Sequence, residues 1–212
     1  MNLANKLTVF RIILVPLMAI VPYLNLQGDF FGLPYTYFWM ELIFIVASIT
    51  DKLDGYIARS RNQVTTFGKF LDPLADKILV ISALIILVEY AKIPSWIPII
   101  VLAREFIVSG YRLIAVEKGG KVVAASIWGK LKTVTQMIAI VCAFADKFSF
   151  GDFMFRVTSL QEQAVNSAAI YMTTGQFIIN ILATVLMVVS VIATIFSGWN
   201  YLKEGKDLFK DN

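Results

Sequence analysis

Apolar runs close to 20 residues long recur along the whole chain, separated by short polar or glycine-bearing stretches. Runs of that length match the roughly 30 Å hydrocarbon core of a bilayer at the rise of an α-helix, so each predicts a membrane-spanning helix. Six spans are predicted, at 7–25, 35–58, 69–91, 95–117, 122–145 and 171–200. The fold class is therefore all-α integral membrane, read as a single domain over residues 1–212, with no internal repeat, low-complexity tract or linker. The first span carries Arg11 and Pro16 and lacks a small-residue cleavage site, which favours a retained helix over a signal peptide. Residues 1–6 (MNLANK) are expected to form a short interfacial segment before it.

Basic residues orient these spans. With the N-terminus in the cytoplasm, Lys6, Arg11, Arg59, Arg61, Lys69, Arg112, Lys118, Lys121, Lys203, Lys206 and Lys210 fall on one side, against Lys92, Lys147 and Arg156 on the other. The positive-inside bias then places a multi-pass protein in the cell membrane with both termini cytoplasmic. The longest loop, 146–170, is expected outside the cytoplasm, with an amphipathic piece on the membrane surface.

Composition sharpens the picture in two ways. The 212 residues are 58% hydrophobic, with a mean hydropathy of +0.73, which excludes an ordinary soluble domain. Histidine is absent, so acid–base or metal chemistry must rest mainly on carboxylates, whose oxygens suit Mg²⁺, Mn²⁺ or Ca²⁺. The lone Cys142 excludes an intrachain disulfide and reads as packing. A net charge of +4 gives no sign of nucleic-acid binding.

Against that background, four aspartates stand out: Asp51, Asp54, Asp72 and Asp76, in DKLDGYIARSRNQVTTFGKFLDPLADK. A carboxylate at a membrane helix centre costs roughly 2.5–3.5 kcal/mol on insertion scales, and four together repel unless cations neutralise them. Asp51 and Asp54 are three apart, and Asp72 and Asp76 four apart, so each pair shares a helix face. The short polar connection predicts an antiparallel hairpin whose acidic faces meet near the cytoplasmic surface. Such a cluster suits two divalent cations, the clamp that phosphoryl transfer commonly uses. Gly55 and Ala58 permit close approach of a ligand, Arg59 is placed to meet a phosphate, and Gly68 opens the next helix, whose amides can face an anion. The plainer alternative is an acidic interfacial patch paired with Lys52, Lys69 and Lys77.

The pattern D-x-x-D-G-x-x-A-R followed by G-x-x-x-D-x-x-x-D resembles the signature of the CDP-alcohol phosphotransferase family at Asp51, Asp54, Gly55, Ala58, Arg59, Gly68, Asp72 and Asp76. The resemblance implies that Asp51, Asp54 and Asp72, helped by Asp76, coordinate two divalent cations, Mg²⁺ or Mn²⁺, on the CDP pyrophosphate. It implies that Asp76 is the general base and that Gly55, Ala58, Arg59 and Gly68, with Asp54, shape the CDP pocket. Asn5 and Thr8, in a stretch similar to the family's opening helix, would border the nucleotide. An equally open reading makes that stretch a capped interfacial helix with Arg11 snorkelling to the surface. The family resemblance also implies a homodimer, with membrane lipid entering sideways between helices.

AREFIVSGYR places Arg104 and Arg112 on one helix face, and SIWGKLKT adds Lys130 and Lys132. Several membrane-embedded cations suggest an anionic small molecule beside the acidic site, although a structural Arg104–Glu105 network with Lys132 snorkelling is the bland alternative. These stretches, with DPLADK, resemble the phosphatidylglycerophosphate synthase branch. That likeness implies CDP-diacylglycerol as donor and sn-glycerol 3-phosphate as acceptor, the latter held by Arg104, Arg112, Lys130 and Lys132. An inositol phosphate remains the nearest alternative acceptor. A membrane prenyltransferase and a divalent-cation transporter are the other classes considered; the first lacks the D-G-x-x-A-R element, and the second predicts carboxylates along a pathway through both leaflets.

Overall fold

A computed structural model of the chain describes residues 3–30, 32–60, 66–117, 127–155 and 172–204. Most of them lie in α1 (Leu3–Ile20), α2 (Tyr35–Ser60), α3 (Thr66–Glu89), α4 (Trp96–Glu117), α5 (Ile127–Ala145) and α6 (Thr174–Glu204). The short pieces are two 3-10 turns, Val21–Leu24 and Asp152–Phe155, and an antiparallel pair of two-residue strands, β1 (Asp29–Phe30) and β2 (Leu33–Pro34). Each apolar run picked out in the sequence lies largely within one of the helices. Among the described residues, no separate interfacial segment precedes the apolar run: from Leu3, α1 continues into it unbroken, because no Pro or Gly interrupts it before Pro16.

The helices are inside out relative to soluble ones. On α1, Phe10, Ile13, Leu17 and Ile20 are exposed at three- and four-residue spacing, whereas Asn5, Thr8 and Arg11 are buried. On α6, Ile178, Leu182, Val185, Ile192 and Trp199 are exposed, whereas Asn180, Ser190, Thr194 and Ser197 are fully buried. An apolar exterior over polar interior positions is stable only where the surroundings are themselves apolar. Buried hydroxyls bond to their own helix: Thr194 Oγ1 donates to the Ser190 carbonyl at 2.6 Å and Ser190 Oγ to that of Met187 at 2.8 Å.

Among the described residues, three stretches, Asn5–Leu24, Ile127–Ala145 and Thr174–Lys203, are long and apolar enough on their own to cross a membrane. The remaining helices, α2, α3 and α4, carry most of the charged residues singled out above, which lowers their hydropathy without shortening them. Packing divides the helices into α1 with α2 and α3, and α6 with α4 and α5; α5 against α6 is the most extensive pairing. A core of Met18, Met40, Phe44, Leu79, Ile140 and Phe144 spans both groups.

At one end of the bundle the connections fold back onto the helices. Ala91 adopts a left-handed conformation (φ 53°) and closes α3, with Lys92 N–H donating to the Leu87 carbonyl at 2.8 Å. Lys92 Nζ then donates to the Asp146 carbonyl oxygen. Burial holds the Lys92 ammonium down at about 8, with Asp146 and Asp152 pulling the other way, and the same burial pushes the Asp146 carboxyl up. Asn180, fully buried on α6, ties the 146–155 stretch down. Its Nδ2 donates to Asp146 Oδ2 (2.6 Å) and the Ser149 carbonyl (2.9 Å), and its Oδ1 accepts from Phe153 N–H (2.8 Å). The amphipathic piece expected in 146–170 falls largely outside the described residues.

Asn180→Leu keeps the branched heavy-atom skeleton and removes all three bonds, one of them to a carboxylate. Each buried group left unmade costs about 1–3 kcal/mol, so the detergent-solubilised protein should lose several degrees of Tm. An unchanged melting curve would show that this stretch is held by something other than Asn180.

Candidate active site

The acidic helices meet through α1 more than through each other. Residues three apart on a helix stack on one face, so Asn5, Thr8 and Arg11 form a polar strip, and all three are buried. Thr8 Oγ1 donates to Asp72 Oδ1 at 2.7 Å on α3. Arg11 Nη1 lies 2.8 Å from Asp51 Oδ1 on α2. The Arg11 side chain has no exposed surface and that of Asp51 is 37% exposed, so the arginine does not snorkel. It supplies a buried positive charge to the acidic group. Gly68 is buried at the start of α3 and Gly55 is half-buried on α2. The side chains of Asp54, Ala58 and Arg59 lie outside the described residues.

Among the described residues, no group of three or more acidic, histidine or cysteine side chains gathers closely enough to hold a metal ion. The donors do fit a hard divalent cation in kind, being carboxylate oxygens with no sulfur or imidazole among them. In the described contacts, Asp51 and Asp72 each commit one oxygen to α1.

Asp76 looks toward a second group of charges. Asp51 and Arg11, from α2 and α1, and Lys132 and Glu105, from α5 and α4, all act on it electrostatically. It lines a cavity of about 260 Å³ where α3, α4, α5 and α6 converge. Four cations, Lys77, Arg104, Arg112 and Lys132, line this cavity against two carboxylates, Asp76 and Glu105. Arg104 donates from Nη1 to Glu105 Oε1 (2.8 Å) and from Nη2 to Ser197 Oγ (2.6 Å). Lys132 Nζ reaches the same Glu105 oxygen at 2.6 Å. Arg112 Nη2 donates to Tyr201 Oη at 2.9 Å. The guanidinium groups of Arg104 and Arg112 lie 5.9 and 5.7 Å from the Tyr201 ring centre. The ion pairs hold the cations in place, and their surplus over carboxylates gives the cavity a positive balance suited to a phosphate.

The structure therefore brings Arg104, Arg112 and Lys132 together with Asp76, and it includes the Arg104–Glu105 pair. Lys130 is exposed and stands outside the cavity lining. Positions two apart on a helix point roughly 200° apart, so Lys130 and Lys132 do not share a face. Lys77, Gln136 and Tyr201 line the cavity without having been expected there. Gln136 was legible in principle, one turn beyond Lys132 on α5. Lys77, bonded to Ser109 of α4, and Tyr201, reaching in from α6, are placed by tertiary packing that no local pattern announces.

The sequence model of the family described as CDP-alcohol phosphatidyltransferase matches residues 1–199 of the chain. A protein of Bacillus subtilis (strain 168) is 36% identical over 214 residues, covering 99% of this chain and 97% of its own length. One of Haemophilus influenzae is 35% identical over 215 residues, covering 100% and 97%. A third, of Escherichia coli (strain K12), is 41% identical over 143 residues, covering 66% and 74%. All three carry the name CDP-diacylglycerol–glycerol-3-phosphate 3-phosphatidyltransferase.

Arg11→Met tests the role given to α1. Removing one partner of a buried pair typically costs 3–5 kcal/mol; because Asp51 is partly exposed, about 1–3 kcal/mol is expected here. That lowers Tm by several degrees when divalent cations are chelated. A snorkelling arginine would be replaced without change in Tm.

Proposed function

The chain belongs to the CDP-alcohol phosphatidyltransferase family, and from that footing we propose that it transfers the phosphatidyl group of CDP-diacylglycerol to sn-glycerol 3-phosphate, releasing CMP and forming phosphatidylglycerophosphate for phospholipid synthesis. The observation that carries this reading is the cavity in which Asp76 faces Lys77, Arg104, Arg112 and Lys132. A phosphorylated alcohol needs such cations for its phosphate and a carboxylate for its hydroxyl. A serine- or choline-type acceptor also needs the carboxylate for its hydroxyl but does not require so many cations. The basic cavity also suits an inositol phosphate, and the names of the relatives favour glycerol 3-phosphate.

In this reading Asp51, Asp54, Asp72 and Asp76 hold two divalent cations, Mg²⁺ or Mn²⁺. When bound, these supply positive charge at the donor's pyrophosphate. Asn5, Thr8, Asp54, Gly55, Ala58, Arg59 and Gly68 surround the CDP moiety. Arg104, Arg112 and Lys132, joined by Lys77, grip the acceptor phosphate and orient its primary hydroxyl toward Asp76. Asp76 accepts that hydroxyl's proton as the oxygen bonds to the β-phosphorus bearing diacylglycerol. The bond from that phosphorus to the oxygen bridging it to CMP breaks, and CMP leaves with the electron pair. A carboxylate is a weak base, so most of the acceleration comes from holding the two anionic substrates in line within a partly enclosed, low-dielectric site. Thr8 and Arg11 contribute by fixing the orientation of Asp72 and Asp51.

The protein is a membrane protein, and within it we place six spans, a single domain over 1–212, both termini and the site at the cytoplasmic side, and a homodimer. The positive-inside count supports the orientation. The exposed apolar stripes of α1 and α6 support contact with membrane lipid.

An acceptor panel with purified protein, CDP-diacylglycerol and Mg²⁺ or Mn²⁺ tests the reaction. CMP release should require glycerol 3-phosphate and a divalent cation, and free glycerol should not replace it. Asp72→Asn should abolish turnover without loss of folded protein; CMP release near the wild-type rate would overturn the carboxylate assignment.

Arg112→Ala addresses the acceptor end. A charge-assisted bond to phosphate is worth roughly 1.5–3 kcal/mol. KM for glycerol 3-phosphate should therefore rise on the order of tenfold or more, with KM for CDP-diacylglycerol little changed. An unchanged acceptor KM would make this arginine a support for Tyr201 alone.

A further inference from the structure

Gln136 lines the cavity from α5, one turn from Lys132, and is only 2% exposed. Its Nε2 has no hydrogen-bond partner among the described residues. A buried amide N–H without an acceptor is costly, and in an apolar helix a leucine or methionine would fill the same volume without that cost. The glutamine is therefore explained by something that enters the cavity and accepts its hydrogen. Apolar lining residues such as Val80, Val101 and Met137 offer no acceptor for that purpose.

The chemistry of an amide narrows what that something is. The four cations already match a phosphate, and Asp76 is an acceptor suited to the attacking hydroxyl. A neutral donor suits a neutral oxygen. A three-carbon acceptor with its phosphate among the cations and its primary hydroxyl at Asp76 has one polar group left, the secondary hydroxyl on its middle carbon. Held at both ends, the molecule presents that hydroxyl to a side wall, and α5 supplies the wall that carries both Lys132 and Gln136.

We propose that Gln136 is a specificity-determining residue, donating from Nε2 to the free secondary hydroxyl of the acceptor and so selecting glycerol 3-phosphate over hydroxyalkyl phosphates that lack it. This rests on the acceptor reading given above and adds the group that recognises the middle carbon. A site built to bond a hydroxyl discriminates against an analogue lacking it, because the buried donor is then left unpaired.

The test compares glycerol 3-phosphate with 3-hydroxypropyl phosphate, which lacks only the secondary hydroxyl, using full-length wild type, Gln136→Met and Gln136→Leu. Wild type should favour glycerol 3-phosphate in kcat/KM by on the order of tenfold or more. Both variants should lose most of that preference, falling about tenfold further on glycerol 3-phosphate than on the analogue. KM for CDP-diacylglycerol serves as the folding control and should stay within about twofold. Equal losses on both acceptors, or a wild type that turns over glycerol 3-phosphate without preferring it, would overturn the proposal while leaving the reaction intact. No turnover with either phosphate by wild type would overturn the acceptor reading and this proposal together.

Discussion

A guanidinium with no exposed surface, 2.8 Å from a carboxylate, sets the terms for the rest of this molecule. Such a buried charge is not stable alone in an apolar interior, and the partly exposed carboxylate of Asp51 makes it tolerable. Because Arg11 is on α1 and Asp51 on α2, this requirement fixes how the two helices dock. Thr8, one turn earlier, bonds Asp72 and extends the same constraint to α3. The first helix thus acts as a spine that seats both acidic helices, with its apolar residues left to face outward.

The same economy of charge governs the cavity on the far side of Asp76. Arg104 and Lys132 share one oxygen of Glu105, which leaves the group positive overall but locally compensated. Tyr201 holds both Arg104 and Arg112 over its ring and accepts a hydrogen bond from the latter. A cavity of bare cations would repel itself apart. One with too many carboxylates would reject an anion. Glu105 and Tyr201 keep the arrangement between those limits, so the residues of the ion-pair network also leave the cavity with a surplus of positive charge.

Much of this was legible along the chain. Runs of about 20 apolar residues determined a mostly helical membrane architecture, since only helices and closed barrels satisfy their backbone groups in lipid. The three- and four-residue spacings of the aspartates placed each pair on a helix face, and the lack of histidine confined the chemistry to carboxylates. Arg104 and Arg112, eight residues apart, were expected on one face and are found on one cavity. These are properties of single helices, and a helix's periodicity is readable without knowing its neighbours.

What the sequence left open concerned neighbours. Whether Arg11 reached the surface or the interior depended on α2 standing beside it. Lys130 and Lys132 looked equivalent as a pair of basic residues until packing turned one inward and the other out. Lys77 and Tyr201 entered the cavity from helices whose local patterns give no sign of it, because their role arises only where four helices converge. Periodicity decides which residues share a face; the docking of charged faces in a medium that does not tolerate them unpaired decides which faces meet.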